Sequence, residues 1–271
     1  METLCPMVQC LFFLEVINIL VDAHTHLAHY GENLPRALEI IRKKKIYTLA
    51  CSMNKKDYLW LKEMTKDQEY ILPCYGIHPW EITPDLEELK NKKEIIKLIQ
   101  EAPLIGEIGL DFYWAENKKS YPLQIEVLKF FFKYAKKFDK IVNLHTKGAE
   151  KKILSLLKEY KLKTPIIHWY SGPLDLVDEF IKLDCYWTIS VDLSESSLSQ
   201  ELVKKIPLEK ILTETDGPSG LEWLNGQYAY PDYVEKMIKE IAAIKKINSE
   251  SCRQQIQQNF KNLLFSGNIE I

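Results

Sequence analysis

The stretch DAHTH at residues 22–26 follows a short apolar run and places two imidazoles at the end of a predicted β-strand. Later runs of the same kind are followed by further imidazole or carboxylate side chains, at Glu107, His145, His168 and Asp216. Side chains of these types bind divalent metal ions. When they come from the ends of separate strands, they can meet only if those strands form one closed or parallel sheet. The spacing therefore predicts a metal site and a parallel sheet together.

Eight segments have the apolar or alternating pattern that is typical of β-strands. They cover residues 18–22, 46–52, 71–76, 104–107, 141–145, 164–168, 185–191 and 210–215. Segments with helical spacing of apolar residues lie at 34–44, 57–66, 86–101, 122–138, 150–160, 231–246 and 249–264. Strands alternating with helices predict an α/β protein, a single-domain (β/α)8 TIM barrel. An open doubly wound sheet is the alternative, but no Gly-rich phosphate loop follows the first strand.

Length and composition fit one soluble barrel. The chain has 271 residues, of which 46% are hydrophobic and 27% charged, and such a barrel typically has about 250 residues. The 36 basic and 38 acidic side chains give a net charge of −2. This balance argues against binding of polyanions or membranes through overall charge, so any contact with nucleic acid has to be local.

The N-terminal segment is largely apolar at residues 8–21, like the core of a signal peptide. However, no Lys or Arg precedes it, Glu15 interrupts it, and cleavage after Ala23 would remove the strand that carries the first histidines. It is also too short and too broken to cross a bilayer. We therefore predict an extension of uncertain role at residues 1–17, a barrel domain at residues 18–271, and no membrane association.

The six cysteines form no C-x-x-C pair, and several lie within apolar runs. Buried free thiols fit this pattern better than a disulfide framework does. The sequence therefore predicts a protein of the reducing cytoplasm. The oligomeric state stays open, with a monomer favoured.

Two of the candidate ligand sets have a clear geometric basis. His24 and His26 are two positions apart, so an extended backbone turns both imidazoles to the same side and makes a clamp for one ion. Glu107 has glycines on either side that permit a close backbone approach. Because its carboxylate has two oxygens, Glu107 could bridge two ions.

Asp216 precedes a Gly-Pro turn, and in a barrel its strand lies beside the first one. A carboxylate there could hold an ion and also accept a proton from an attacking water. The simpler alternative is a turn-forming Asp, which is common before Gly. Taken singly, His145 and His168 are also more often hydrogen-bonded structural histidines than metal ligands.

Six motifs in order along the chain carry a resemblance to a known family. They are DAHTHL at residues 22–27, GIHP at 76–79, GEIGLD at 106–111, the single residues His145 and His168, and ETDGP at 214–218. Together they resemble the TatD family of metal-dependent deoxyribonucleases, over about residues 21–265. The resemblance implies an amidohydrolase-like barrel with two divalent ions of the Mg, Mn or Zn class.

The resemblance also implies a role for each matched ligand. One ion would lie among His24, His26, Glu107 and Asp216, and the other among Glu107, His145 and His168. Glu107 would then bridge the two ions, and Asp216 would be the general base. Two ions about 3.5–4 Å apart can activate a water and neutralise charge on a phosphodiester.

Three further residues are candidates for substrate contact or support. His78 matches a family position near the substrate phosphate. Trp80 offers a ring on which a base could stack, or it simply closes the top of the barrel. Asp111 could orient a histidine, or it forms a turn.

The chain departs from the family pattern at two places. It has HTK at residues 145–147 where the family usually has His-x-Arg, and HWYSG at 168–172 where the family often has His-Cys-Phe-[ST]-Gly. Lys147 supplies positive charge near the substrate but lacks the bidentate fork of Arg. The departures therefore bear on phosphate affinity or substrate preference, and they leave the implied metal ligands intact.

The resulting hypothesis is a metal-dependent hydrolase that cleaves DNA phosphodiester bonds, with Glu107 and Asp216 as catalytic residues. An exonuclease on single-stranded or frayed ends is favoured, because Lys147 provides only a local cationic contact. The first alternative is a two-metal hydrolase of amides, esters or lactones, since fold alone does not separate these reactions. The second alternative is a non-catalytic scaffold stabilised by metal.

Overall fold

Eight parallel strands form a single sheet in which strands adjacent in the chain are also adjacent in space. The computed structural model describes residues 19–115 and 117–270. The strands are β1 (Leu20–Thr25), β2 (Ile46–Cys51), β3 (Ile71–Tyr75), β4 (Leu104–Gly109), β5 (Val142–His145), β6 (Ile166–Ile167), β7 (Tyr186–Ile189) and β8 (Ile211–Thr213). This order is that of the predicted TIM barrel, so the prediction is confirmed. The predicted extension at residues 1–17 lies outside the described residues.

Hydrogen bonds join β1 to β8, the two strands at the ends of the sheet order. The amide of Asp216 donates to the carbonyl of His24 at 3.0 Å. The buried carboxyl group of Asp22 accepts from both the amide and the hydroxyl of Thr215, at 2.9 and 2.7 Å. This β1–β8 seam nearly closes the barrel, and it places the residues that follow β8 beside the end of β1.

Helices lie between the strands and after the last one. They are α1 (Leu34–Lys44), α2 (Lys55–Met64), α3 (Lys92–Glu101), α4 (Tyr121–Lys137), α5 (Glu150–Tyr160), α6 (Val177–Ile181), α7 (Ser197–Lys205), α8 (Ser219–Asn225), α9 (Val234–Lys245) and α10 (Ser249–Ser266). Apolar spacing predicted the bounds of α1 and α5 correctly. It missed α6, α7 and α8, because helices of five to nine residues contain too few turns to show a clear period.

Asparagine caps account for two helix starts that apolar spacing placed wrongly. Asn54 accepts from the amide of Asp57, so α2 begins two residues earlier than predicted. Asn91 accepts from the amide of Glu94 and divides the predicted 86–101 helix into a short 3-10 turn and α3. A side-chain oxygen at this position satisfies a backbone donor that the first helical turn leaves free.

Two strands are longer at their carboxyl ends than the sequence predicted. Thr25 of β1 still pairs with Ala50 of β2, and Gly109 of β4 still pairs with His145 of β5. The first histidines and the candidate bridging carboxylate therefore project from or next to paired strands rather than from loops. Paired backbone holds such side chains more rigidly than a loop does.

Glycine is required where β4 approaches its neighbours. A Cβ on Gly76 would lie 2.1 Å from the carbonyl oxygen of Glu107, and a Cβ on Gly109 would lie 2.0 Å from that of His145. Since no side chain fits at such distances, the two glycines allow β3, β4 and β5 to lie close together. The approach positions Glu107 at the centre of the barrel end.

The core fills the barrel and the layer between the sheet and the helices. Its largest fully buried aromatic side chains include Trp187, Phe131, Phe132, Phe180 and Phe260. The four described cysteines are buried and free, as the sequence predicted for them. Among residues 19–115 and 117–270, no helix has the length and apolar character that a membrane crossing needs.

Candidate metal centre

The carboxylate of Glu107 lies at the centre of a cluster of histidines at the carboxyl end of the barrel, and it is 1% exposed. Its Oε2 atom is 3.3 Å from His24 Nε2 and 3.2 Å from His26 Nε2. Its Oε1 atom is 2.8 Å from His145 Nδ1 and 3.4 Å from His78 Nε2. One carboxylate thus faces two separate groups of imidazoles, one with each oxygen.

The group around Glu107 Oε2 also contains Asp216. Asp216 Oδ1 lies 3.6 Å from His24 Nε2 and 3.4 Å from His26 Nε2, and these two nitrogens are 3.2 Å apart. An ion held tetrahedrally at about 2.1 Å by nitrogen and oxygen has ligand atoms about 3.4 Å from one another. The observed separations match that spacing. His24, His26 and Glu107 have donor atoms close enough to share one divalent ion, and Asp216 lies beside both imidazoles.

The group around Glu107 Oε1 contains three imidazoles. His145 and His78 contact this oxygen, and His168 Nε2 lies 3.7 Å away. His78, Glu107 and His145 have donor atoms close enough to share an ion. The sequence singled out His78 only for substrate contact, and the structure places it directly beside the candidate bridging carboxylate.

The protonation of His78 follows from its contacts. Its Nδ1 accepts a hydrogen bond from the amide of Trp80 at 3.2 Å, so the ring proton belongs on Nε2. Burial lowers the pKa of His78 to about 4, although the nearby Glu107 carboxylate acts in the opposite direction. A neutral His78 therefore presents an N–H donor to the site at neutral pH.

The remaining four imidazoles each have their second nitrogen held by a partner. The pairs are His24 Nδ1 with Asn143 Oδ1 at 3.0 Å, His26 Nδ1 with the Cys51 carbonyl at 3.2 Å, His145 Nε2 with Asp111 Oδ2 at 2.9 Å, and His168 Nδ1 with Glu214 Oε2 at 2.8 Å. Such contacts fix the ring orientation and leave the other nitrogen for an ion. The site is thus preorganised for metal.

Asn143 and Glu214 were missed in the sequence. Asn143 stands two residues before His145 on β5, and Glu214 stands two residues before Asp216. Alternation along a strand turns Asn143 and His145 to the same face, so this period-two signal could have found Asn143. Glu214 lies after the end of β8, where no strand period applies.

Asp111 connects the histidines to the mouth of the barrel. Its Oδ2 accepts from the indole of Trp80 at 2.8 Å as well as contacting His145. Its Oδ1 accepts from the amides of Tyr113 and Trp114 at 2.8 and 2.6 Å. Although burial opposes ionisation, these contacts hold the pKa of Asp111 below its usual range. An ionised Asp111 therefore holds in place the ring of His145, the indole of Trp80 and the loop that contains Tyr113 and Trp114.

The electrostatics of the cluster keep its acids ionised. Burial works against charge, but the histidines hold the pKa of Glu107 well below its usual range and also lower the pKa of Asp216. Against the same burial effect, contacts with these carboxylates raise the pKa of His26 to about 10. The carboxylates of Glu107 and Asp111 raise the pKa of His145 to about 9. In the metal-free centre these imidazoles therefore carry protons, which a divalent ion has to displace.

Lys147 lies at the edge of the same barrel end. Its ammonium donates to the hydroxyl of Ser171 at 2.8 Å and lies 5.4 Å from the centre of the Tyr113 ring. Within residues 19–115 and 117–270 it forms no salt bridge with a carboxylate. Its charge is thus available to an anionic group.

The Glu214→Ala variant should lose about 10- to 100-fold in affinity for the ion that His168 would hold, because removal of such an orienting partner has this effect in metal sites. Titration of metal-free protein with Mn²⁺ or Zn²⁺ by calorimetry measures it. Glu222→Ala removes an exposed acid on α8 and is the matched control. Equal affinities in Glu214→Ala and the unaltered protein would contradict an orienting role for Glu214.

Imidazole and carboxylate donors gathered at the carboxyl end of a parallel barrel define the class of metal-dependent hydrolases. Comparison with known sequences identifies the family within this class. The chain belongs to the TatD related DNase family, whose model matches residues 21–265.

Individual relatives agree with this assignment. The chain is 30% identical over 243 residues to an uncharacterized metal-dependent hydrolase of Methanocaldococcus jannaschii. The match covers 88% of this chain and 94% of that protein. It is 28% identical to human deoxyribonuclease TATDN3, over 74% of this chain and 78% of the relative. Its fold is similar to the crystal structure of YJJV, a TatD homologue of Escherichia coli K12, with a TM-score of 0.79 and 20% identity, over 90% and 96% of the two chains.

Proposed function

We propose that the protein cleaves phosphodiester bonds of DNA at a centre of two divalent ions, as an exonuclease on single-stranded or frayed ends. The observation that carries the proposal is the position of Glu107, whose two oxygens face two different sets of imidazoles. One ion would be held by His24, His26, Glu107 and Asp216, and the other by Glu107, His145 and His168. The ions would be of the Mg, Mn or Zn class.

When bound, such ions lower the pKa of a water and neutralise charge on a phosphodiester. Asp216 is the proposed general base. Its carboxylate is held ionised by the neighbouring histidines, so it can accept the proton that the attacking water loses. The neutral His78 can donate its Nε2 hydrogen to a phosphate oxygen, and Lys147 can pair with the charge of an adjacent phosphate.

The preference for strand ends rests on charge. The chain carries a net charge of −2, and Lys147 is a cation at the barrel mouth without a carboxylate partner among the described residues. Binding along a long duplex requires several phosphate contacts, and each adds to the salt dependence of affinity. One local cation beside a recessed metal centre is better suited to binding the end of a strand than to binding along a duplex. The free, buried thiols support a cytoplasmic location for this activity.

The test is digestion of 5′- and 3′-labelled single-stranded and duplex DNA by metal-free protein reloaded with Mg²⁺, Mn²⁺ or Zn²⁺. A ladder of products that requires both the metal and Glu107 is expected, and the label that yields it gives the polarity. Single strands should be cut faster than blunt duplexes, with frayed duplexes between them.

Intact DNA after incubation with protein of verified metal content would contradict the proposal. The same metal-loaded protein would then be offered amide, ester and lactone substrates, because the metal chemistry serves these bonds as well. Metal content measured on the same sample separates a wrong substrate from an unloaded centre.

A further inference from the structure

Exposed aromatic side chains are concentrated around the mouth of the barrel. Of the nine large hydrophobic side chains that are exposed in the described residues, six follow β3, β4 or β8 at this end: Trp80, Tyr113, Trp114, Trp223, Leu224 and Tyr228. Single exposed apolar residues are common on protein surfaces, whereas a contiguous group indicates a binding surface. These side chains therefore make the mouth a candidate binding surface.

Three tryptophans from separate segments form a connected surface, here called the tryptophan platform: Trp80 after β3, Trp169 after β6 and Trp223 on α8. The rings of Trp169 and Trp223 stack at 6.2 Å between centres with an interplanar angle of 23°. The ring centre of Trp80 lies 6.1 Å from that of Trp223. Trp223 is 61% exposed and Trp80 41% exposed, so the platform offers indole surface to a ligand.

The tryptophan platform is continuous with the metal centre. The ring of Trp169 lies 6.3 Å from that of His168, and the ring of Trp80 lies 4.9 Å from that of His78. The indole nitrogen of Trp80 is also bound to Asp111, which contacts His145. A ligand that rests on the platform therefore lies beside the histidines of the site.

We propose that the tryptophan platform is a base-stacking subsite, in which Trp223 supports the nucleobase next to the scissile phosphodiester. This inference rests on the proposed DNA cleavage and deepens it. Every base has a π-face, so stacking on an aromatic ring is tolerant of sequence. Within a duplex both faces of a base are covered by its neighbours, whereas a base in a single strand or at a strand end can offer a face to Trp223.

The tryptophan platform and Lys147 lie at different parts of the mouth. The platform would contact a base, and Lys147 would contact the phosphate backbone. The ammonium of Lys147 lies 5.4 Å and 5.8 Å from the ring centres of Tyr113 and Trp114, which belong to the loop after β4. The platform is formed instead by residues after β3 and β6 and by α8, which follows β8. A strand end that enters the centre can thus place a phosphate near Lys147 and a base on Trp223.

The test compares Trp223→Ala with Trp60→Ala, a matched control that removes another exposed tryptophan, on α2. Trp223→Ala should raise KM for a single-stranded oligonucleotide about tenfold, the size expected for loss of one stacked base, with kcat nearly unchanged. An oligomer of the same length without bases should show no such difference. Trp223→Phe should restore most of the affinity, because it restores a ring.

Two readouts separate failure of this inference from failure of the proposed function. DNA cleavage with the same KM in Trp223→Ala and the unaltered protein would overturn the subsite and leave the nuclease standing. If no DNA is cleaved, the proposed function fails, and quenching of tryptophan fluorescence by an oligothymidylate decides the subsite. Equal affinities of Trp223→Ala and the unaltered protein for the oligothymidylate, or binding by neither, would overturn the proposed subsite.

Discussion

Glu107→Gln should reduce kcat on DNA by about a thousandfold or more and should release metal from both positions. The two oxygens of Glu107 face two sets of imidazoles, at 3.2–3.3 Å on one side and 2.8–3.4 Å on the other. Removal of its charge therefore weakens both ion sites at once. Metal ions supply several kcal/mol of transition-state stabilisation, and each 1.36 kcal/mol is a factor of ten in rate.

The measurements are the metal content of purified protein by mass spectrometry and kcat on a labelled single strand. Glu88→Gln is the matched control, because Glu88 is a second buried glutamate that is hydrogen-bonded to Lys55 and Tyr75 rather than to the histidines. It should keep its metal and its rate. Full metal content together with kcat within tenfold of the unaltered protein would rule out a bridging role for Glu107.

Asp216→Asn should lower kcat by about 10² to 10⁴-fold, which is the range that general acid–base catalysis contributes. Asn has the shape of Asp and tolerates the positive φ of 46° at this position, so the backbone should be unaffected. Loss of the carboxylate removes both the proposed proton acceptor and one proposed ligand of the first group.

Single-turnover rates, measured with metal at saturating concentration, separate these two losses. Excess metal restores a variant that lacks only a ligand, whereas loss of the base persists at any metal concentration. Asp192→Asn changes an acid after β7 that is hydrogen-bonded to Ser199, and its rate should be nearly unchanged. If saturating metal restored the full rate of Asp216→Asn, the general base would have to be another group.

The fold was predictable because each strand and most helices carry a repeating apolar pattern. α1 and α5 have enough turns for the period to be seen from end to end, and the eight strands are short apolar runs with turn residues between them. The grouping of the candidate ligands was predictable once the strands had been placed. The strand ends of a parallel barrel share one face, so His24, Glu107 and Asp216 had to be near one another.

What the sequence did not reveal depends on contacts between distant loops. The stacking of Trp169 on Trp223 joins residues after β6 and β8, and no local period records such a pair. The contact of His78 with Glu107 depends in part on the close approach that Gly76 allows. Positions of this kind follow from the packed barrel rather than from the propensity of any one segment.

The β1–β8 seam has a consequence for how the protein becomes active during its synthesis. Asp22 and Thr215 are 193 residues apart in the chain, and contacts of such long range form late in folding. His24 and His26 leave the ribosome early, but their partner Asp216 is held in place only when β8 has joined β1. A growing chain therefore has the first histidines without the acid that completes their site. We expect the proposed cleavage of DNA to arise only after the last strand is in place.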